Sequence, residues 1–280
     1  METNRFVTGI DDIGTMSGKS AGWSLISFHE EYFSEFNQSA QDTLNKSGLK
    51  SFHAKEFKRK KSEYYGQFLS LIKETLAKGN SSFICCTLLD EAWKNEFKGF
   101  CEMLIGDAFQ QANIDNNGII EASKRIAAPL FTYQRISSQK TTAKYTSIDI
   151  DRDSVLSKLN DNDLIIRGKK ISSQIPIFAS LNAYGRKQFP SAPLIEKDSI
   201  NILNDEESFL IQAADIFGNF STALSFKTLG KESKSNNLKC EIFENVYSDL
   251  IDPSHISDSV DLDGDDLVLK NNGSFTLCVS

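Results

Sequence analysis

The run from Ser208 to Phe226, SFLIQAADIFGNFSTALSF, carries one charged side chain, Asp215. An ionised carboxylate among apolar residues is costly unless a cation or several donors satisfy it, so the position marks a candidate site. At helical pitch Ser208, Gln212, Asp215, Asn219 and Thr222 recur at steps of four and three and share one face. The alternative is the wet side of an amphipathic helix, but such a face normally carries Lys, Glu or Arg, and this one carries none. Other acids could meet Asp215: Asp11 and Asp12 end the first apolar strand, Asp149 and Asp151 end a later one, and Glu56 lies in SFHAKEFK. Neighbouring strand ends lie about 5 Å apart, so carboxylates on two of them can grip one ion. Oxygen ligands without cysteine suit Mg2+ or Mn2+ rather than zinc, and several carboxylates in one cleft repel one another without such an ion. Asp149 and Asp151 share a side of their strand; Asp149 is preferred because Ile148 and Ile150 set it inside the strand, and Asp151 can equally cap a following helix. His53 is either a core or capping histidine, or a group that contacts a substrate phosphate or moves a proton.

A basic run, Lys55, Lys58, Arg59, Lys60 and Lys61 with Phe57, Tyr64 and Tyr65 interleaved, is the one dense positive patch in a chain of net charge -7. It reads as a solvated helix start or as a strip for nucleic-acid phosphates, with Lys58, Arg59, Lys60 and Lys61 as the contacts. The acidic balance excludes passive coating of nucleic acid by a basic surface and leaves open an enzyme that meets phosphates through bound metal. Five scattered cysteines, Cys85, Cys86, Cys101, Cys240 and Cys278, form no CxxC pair and suit reduced thiols. GTMSGKS fails as a phosphate loop because Ile13 occupies the place of its first glycine. Asp261, Asp263, Asp265 and Asp266 lack the closing Glu of a calcium loop. No signal peptide or membrane span is visible, and a cytoplasmic protein is expected.

The elements that must position these groups follow from periodicity. Residues 5 to 13 and 21 to 28 predict a β-hairpin, and the apolar faces Tyr32 to Leu44 and Tyr65 to Leu76 predict two helices. A strand at 82 to 89 follows, then helices near 91 to 113 and 118 to 135, a strand at 145 to 150, a short helix near 153 to 159 and an extended stretch at 163 to 167. Asn204 and Asp205 signal the start of the Asp215 helix. Residues 229 to 239 read as a linker, and the last forty as a short helix and a hairpin turning at Asn271, Asn272 and Gly273. Interleaved strands and helices make the class α/β.

The order of the acids resembles that of the ribonuclease H-like nucleases, in which an Asp on the first strand, a helical Glu, an Asp on the fourth strand and an Asp on the last helix bind two metals. More narrowly the chain resembles the bacterial domain-of-unknown-function 3800 family, predicted nucleases of that fold. The family's first-strand motif, Asp-Glu-Ser-Gly, corresponds to Asp11, Asp12, Ile13 and Gly14, and its Gln-x-Ala-Asp motif to Gln212, Ala213, Ala214 and Asp215. A middle motif of His or Lys with a nearby acid corresponds to Phe52, His53, Ala54, Lys55 and Glu56, with Ser51 where the family has its acid. The resemblance implies a ribonuclease H-like mixed β-sheet flanked by helices over residues 1 to 228, with a C-terminal appendage over 240 to 280. It also implies Mg2+ or Mn2+ held by Asp11, Glu56, Asp149 and Asp215, with His53 beside them, and two-metal hydrolysis of DNA or RNA. The other reading is a non-catalytic nucleic-acid- or protein-binding module on the same scaffold.

Overall fold

Strands Asn4–Gly14 (β1) and Ala21–His29 (β2) bury apolar residues on both faces, and the two strands pair antiparallel from Phe6↔His29 to Gly14↔Ala21. The computed structural model describes residues 4–14, 21–78, 82–88, 143–152, 156–157, 163–166, 169–172, 194–195, 199–228, 233–248, 261–263, 266–268 and 275–279. Helix α1, Glu30–Ser47, opens on Glu30 and Glu31 and closes at Gly48, whose φ of 65° is the left-handed conformation that glycine adopts without strain. Helix α2, Ser62–Lys78, follows, and then strand β3, Ser82–Leu88, which lies antiparallel to β2.

Strand β4, Ala143–Asp151, lies parallel to β1 on its other edge, which makes the sheet mixed. The register shifts between Phe6 and Val7, where Phe6 faces Tyr145 but Val7 faces Ser147, so Thr146 is an extra residue in β4. A two-stranded pair, β5 (Asp163–Ile166) with β6 (Lys169–Ser172), stands apart from this sheet. Short strands β7 (Leu194–Ile195) and β8 (Ile200–Leu203) both add to β4. Two long helices complete the core: α3, Phe209–Thr228, and α4, Lys234–Tyr247.

Helix α3 packs on β1 and β2, and α2 and α4 pack against it. Their aromatic rings interlock beneath the sheet, with Phe52 stacked on Phe68 at 4.3 Å and Phe243 on Tyr247 at 4.8 Å. The other face presents Phe6, Ile10, Trp23, Leu25, Ile148 and Ile150, which are also buried. The sheet is therefore covered on both sides, and a charged side chain on it survives only where a cleft or a partner reaches it.

The hairpin, α1, α2, β3, β4 and the Asp215 helix lie where periodicity places them. Two expectations differ from the structure. The tract read as a linker up to residue 239 is helical from Lys234, with Ser233 accepting the amide of Asn236 as the cap. The C-terminal hairpin does not form: Asp266–Val268 (β10) pairs with Asp261–Asp263 (β9), while Phe275–Val279 (β11) runs parallel to β3. The helices expected near 91 to 113 and 118 to 135 lie outside the described residues, as does most of that near 153 to 159.

Candidate active site

The carboxyl ends of β1 and β4 lie side by side. Gly9 faces Asp149 and Ile10 faces Ile150, which sets Asp151 beside Asp11 one step beyond the last registered pair. Side chains two apart on a strand share a face, so Asp11, Asp149 and Asp151 all point to the side on which α3 lies. Gly9 lets the helix come that close, because a Cβ there would overlap the Leu210 carbonyl. One strand over, Ser24 donates to the Ala214 carbonyl at 2.5 Å, and a Cβ on Gly218 would meet the Ser24 side chain. These contacts bring Asp215 over the end of β1.

The polar stripe of α3 is buried rather than solvated, with Ser208, Gln212, Asp215 and Thr222 all inside. Gln212 accepts the Phe52 amide at 2.9 Å through Oε1 and donates to the Asp205 carbonyl at 2.8 Å through Nε2. Asp215 Oδ2 accepts the Ala54 amide at 2.8 Å and meets His53 Nδ1 at 2.5 Å, while Oδ1 accepts from Asn219 Nδ2 at 2.6 Å. The segment around His53 is thus sewn onto α3 by its own backbone amides. Tyr65 also donates to the His53 carbonyl at 3.1 Å, and burial pushes its hydroxyl up to about 12.

The electrostatics single out two carboxylates and a histidine. Burial and then the charges of Asp215, Asp151 and Asp12 hold the Asp11 carboxyl well above its ordinary range. Asp151 is pushed up to about 6, first by burial and then by Asp205, with Asp215 adding to it. His53 is raised, chiefly by its hydrogen bond to Asp215, and Asp205 stands 3.7 Å from the same ring nitrogen. Among the described residues no Lys or Arg makes an ion pair with Asp11, Asp151 or Asp215.

The remaining expected residues sit elsewhere. Asp149 is buried, with Oδ1 accepting from Ser147 Oγ at 2.9 Å and Asn201 Nδ2 at 2.8 Å, and Oδ2 from Ser208 Oγ at 2.7 Å. Ser208 Oγ in turn accepts the Leu210 and Ile211 amides at the start of α3, so Asp149 ties the strand to the positive end of that helix. Glu56 ends a short 3-10 turn and is exposed. Lys58, Arg59 and Lys60 are exposed, whereas Lys61 donates to the Ser47 carbonyl at the end of α1 and lies 5.6 Å from the centroid of the Tyr64 ring. Sequence reasoning passed over Asp205, read only as a helix start, and Lys239, read as the end of a linker. The cap signal of Asn204 with Glu207 obscured the first, and the polar run before Leu238 obscured the second.

Comparison with protein-family models and with curated proteins finds no match for this chain. The site must be judged on its chemistry. Asp11, Asp151 and Asp215 offer hard oxygen donors with excess negative charge, which fits a divalent cation such as Mg2+ or Mn2+. Among the described residues no group of three or more His, Cys, Asp and Glu side chains already stands in metal-holding geometry, so coordination would require these side chains to turn. No helix among the described residues is long and apolar enough to cross a membrane.

Proposed function

We propose that this protein is a divalent-metal-dependent phosphodiester hydrolase acting on nucleic acid, built on a ribonuclease H-like scaffold. One observation carries the reading. Carboxylates from the first strand, the fourth strand and a late helix converge with no Lys or Arg among the described residues pairing them, and burial together with the charges of Asp215 and Asp151 holds the Asp11 carboxyl up. Such a cluster costs stability unless a cation is meant to occupy it. The strand order supports the scaffold, because β1 and β4 are parallel neighbours whose carboxyl ends meet under α3.

Asp11, Asp151 and Asp215 would hold the metal, which supplies an activated water and charge stabilisation at the leaving oxygen. His53 is oriented by Asp215 through Nδ1, which leaves Nε2 to hold a proton for transfer near the scissile bond. Exposed Lys58, Arg59 and Lys60 follow directly on the His53 segment and supply backbone contacts to the substrate.

One observation favours the other reading, a non-catalytic module. Both oxygens of Asp215 already accept hydrogen bonds, as expected of a carboxylate kept to pin the His53 segment. The two readings part on measurement. Under the hydrolase reading Mn2+ or Mg2+ raises the melting midpoint of the wild type by several degrees, since a ligand of the folded state alone stabilises it. Asp11→Asn with Asp151→Asn abolishes that shift, and Asp215→Asn abolishes cleavage of DNA and RNA panels. An unshifted wild type that cleaves neither would overturn the hydrolase reading.

A further inference from the structure

Lys239 lies in the second turn of α4, and the fold half-buries it against α3. Its Nζ sits 5.7 Å from the centroid of the Phe220 ring. Burial pushes the amino group down from the ordinary lysine value, and the charge of Asp215 opposes that. The neighbouring charges of this helix pair are spent on each other, since Lys227 meets Glu244 at 3.0 Å. Among the described residues Lys239 makes no hydrogen bond or ion pair, so none of its three N–H donors is spent on them. A lysine kept only for packing would be better replaced by Met or Leu, because half-burying an ammonium without acceptors is costly.

Its surroundings point to the kind of group that would use those donors. Phe57 meets Phe220 edge-on at 5.3 Å, and the exposed Lys58, Arg59 and Lys60 follow Phe57 directly. The ammonium therefore shares Phe220 with the segment that carries the basic run, and it lies within the field of Asp215 in the acidic cluster. A phosphodiester drawn to metal at that cluster brings nonbridging oxygens that need donors from the protein, and a compact ammonium suits one such oxygen as a point charge.

We infer that Lys239 is a substrate-binding residue whose ammonium, carried on α4, receives a nonbridging phosphate oxygen at the rim of the acidic cluster. The identity of the substrate rests on the hydrolase reading above; the anion contact does not. Two measurements test it on the full chain. The first follows acylation of the Lys239 amine by mass spectrometry in wild type, with and without inorganic phosphate; protection of this lysine supports the contact, and an unchanged rate overturns it. The second measures binding of a labelled phosphorothioate 12-mer in Mg2+ to wild type, Lys239→Met and Lys239→Arg. Lys239→Met should weaken binding roughly five- to tenfold and flatten the dependence of log Kd on log salt by about 0.7, with Lys239→Arg recovering most of the loss. A lower melting midpoint with unaltered affinity and salt slope would make Lys239 a counter-charge to Asp215 alone and sink the inference. Protection by phosphate in a wild type that binds no oligonucleotide would instead remove the nucleic-acid reading and keep the anion contact.

Discussion

Asp149 gives its two oxygens to three neutral donors, while Asp151, two residues later, faces other carboxylates. The difference predicts opposite responses to substitution. Asp149→Ala strips acceptors from Asn201 and Ser208 and unties the start of α3, and chemical denaturation should show a loss of about 2–4 kcal/mol. Asp151→Asn should stabilise the metal-free protein. Its folded-state carboxyl titrates near 6 against an ordinary value of 3.8, so between those values the native state keeps a proton that the unfolded chain has released. Stability is therefore lost as pH rises from about 4 to 6, and Asp151→Asn escapes that loss. Denaturation midpoints of the two proteins should converge at pH 4 and separate in favour of the variant by pH 7; separation in the reverse sense would show that Asp151 is paired in the free protein. Periodicity could not choose between these two acids because they share a face. Register separates them along the strand, by setting one beside Gly9 and the other beyond Ile10.

At the scale of elements, the contact between α3 and β1 sets where Asp215 stands. Gly9→Ala drives a methyl into the Leu210 carbonyl, which is backbone and cannot turn aside. Calorimetry should show a loss of about 1–3 kcal/mol or more, and the metal-induced rise in melting midpoint should shrink with it as the helix is lifted from the strand. An unaltered midpoint would mean that α3 can slide without cost. Most of these elements were legible in the sequence. The hairpin, α1, α2, β4 and α3 each bury a face dense enough in apolar residues to set a period. Helix α4 was legible only in its second half, because its buried residues, Cys240, Phe243 and Tyr247, all come after its first six positions. Its opening turns carry Lys, Ser and Asn on solvated surface, and only the Ser233 cap announces them.

For the whole molecule, the candidate site draws on segments near residues 11, 53, 151, 205, 215 and 239, which only the finished fold brings together. Its acids are individually visible in the sequence, but the separation of those that cluster from those that tie elements together depends on tertiary pairing. A cluster that holds protons for want of a cation should release them when one binds. Calorimetric titration with Mn2+ near pH 6 in buffers of different ionisation enthalpy should therefore show proton release, and the apparent affinity should climb with pH. A heat independent of buffer would place the ion elsewhere. The extra residue Thr146 bears on how such a site is gained or lost. Side chains of β4 otherwise change faces with every residue, and the bulge at Thr146 takes up one such change: Tyr145 lies with Phe6 on one side, and Ser147, Asp149 and Asp151 lie with Val7 on the other. Loss of Thr146 would only make the ladder regular, whereas loss of one codon just after it, at Ile148, would keep every acid in the sequence and turn both aspartates away from Asp215, so the inventory of acids alone does not reveal whether a chain of this design holds its site.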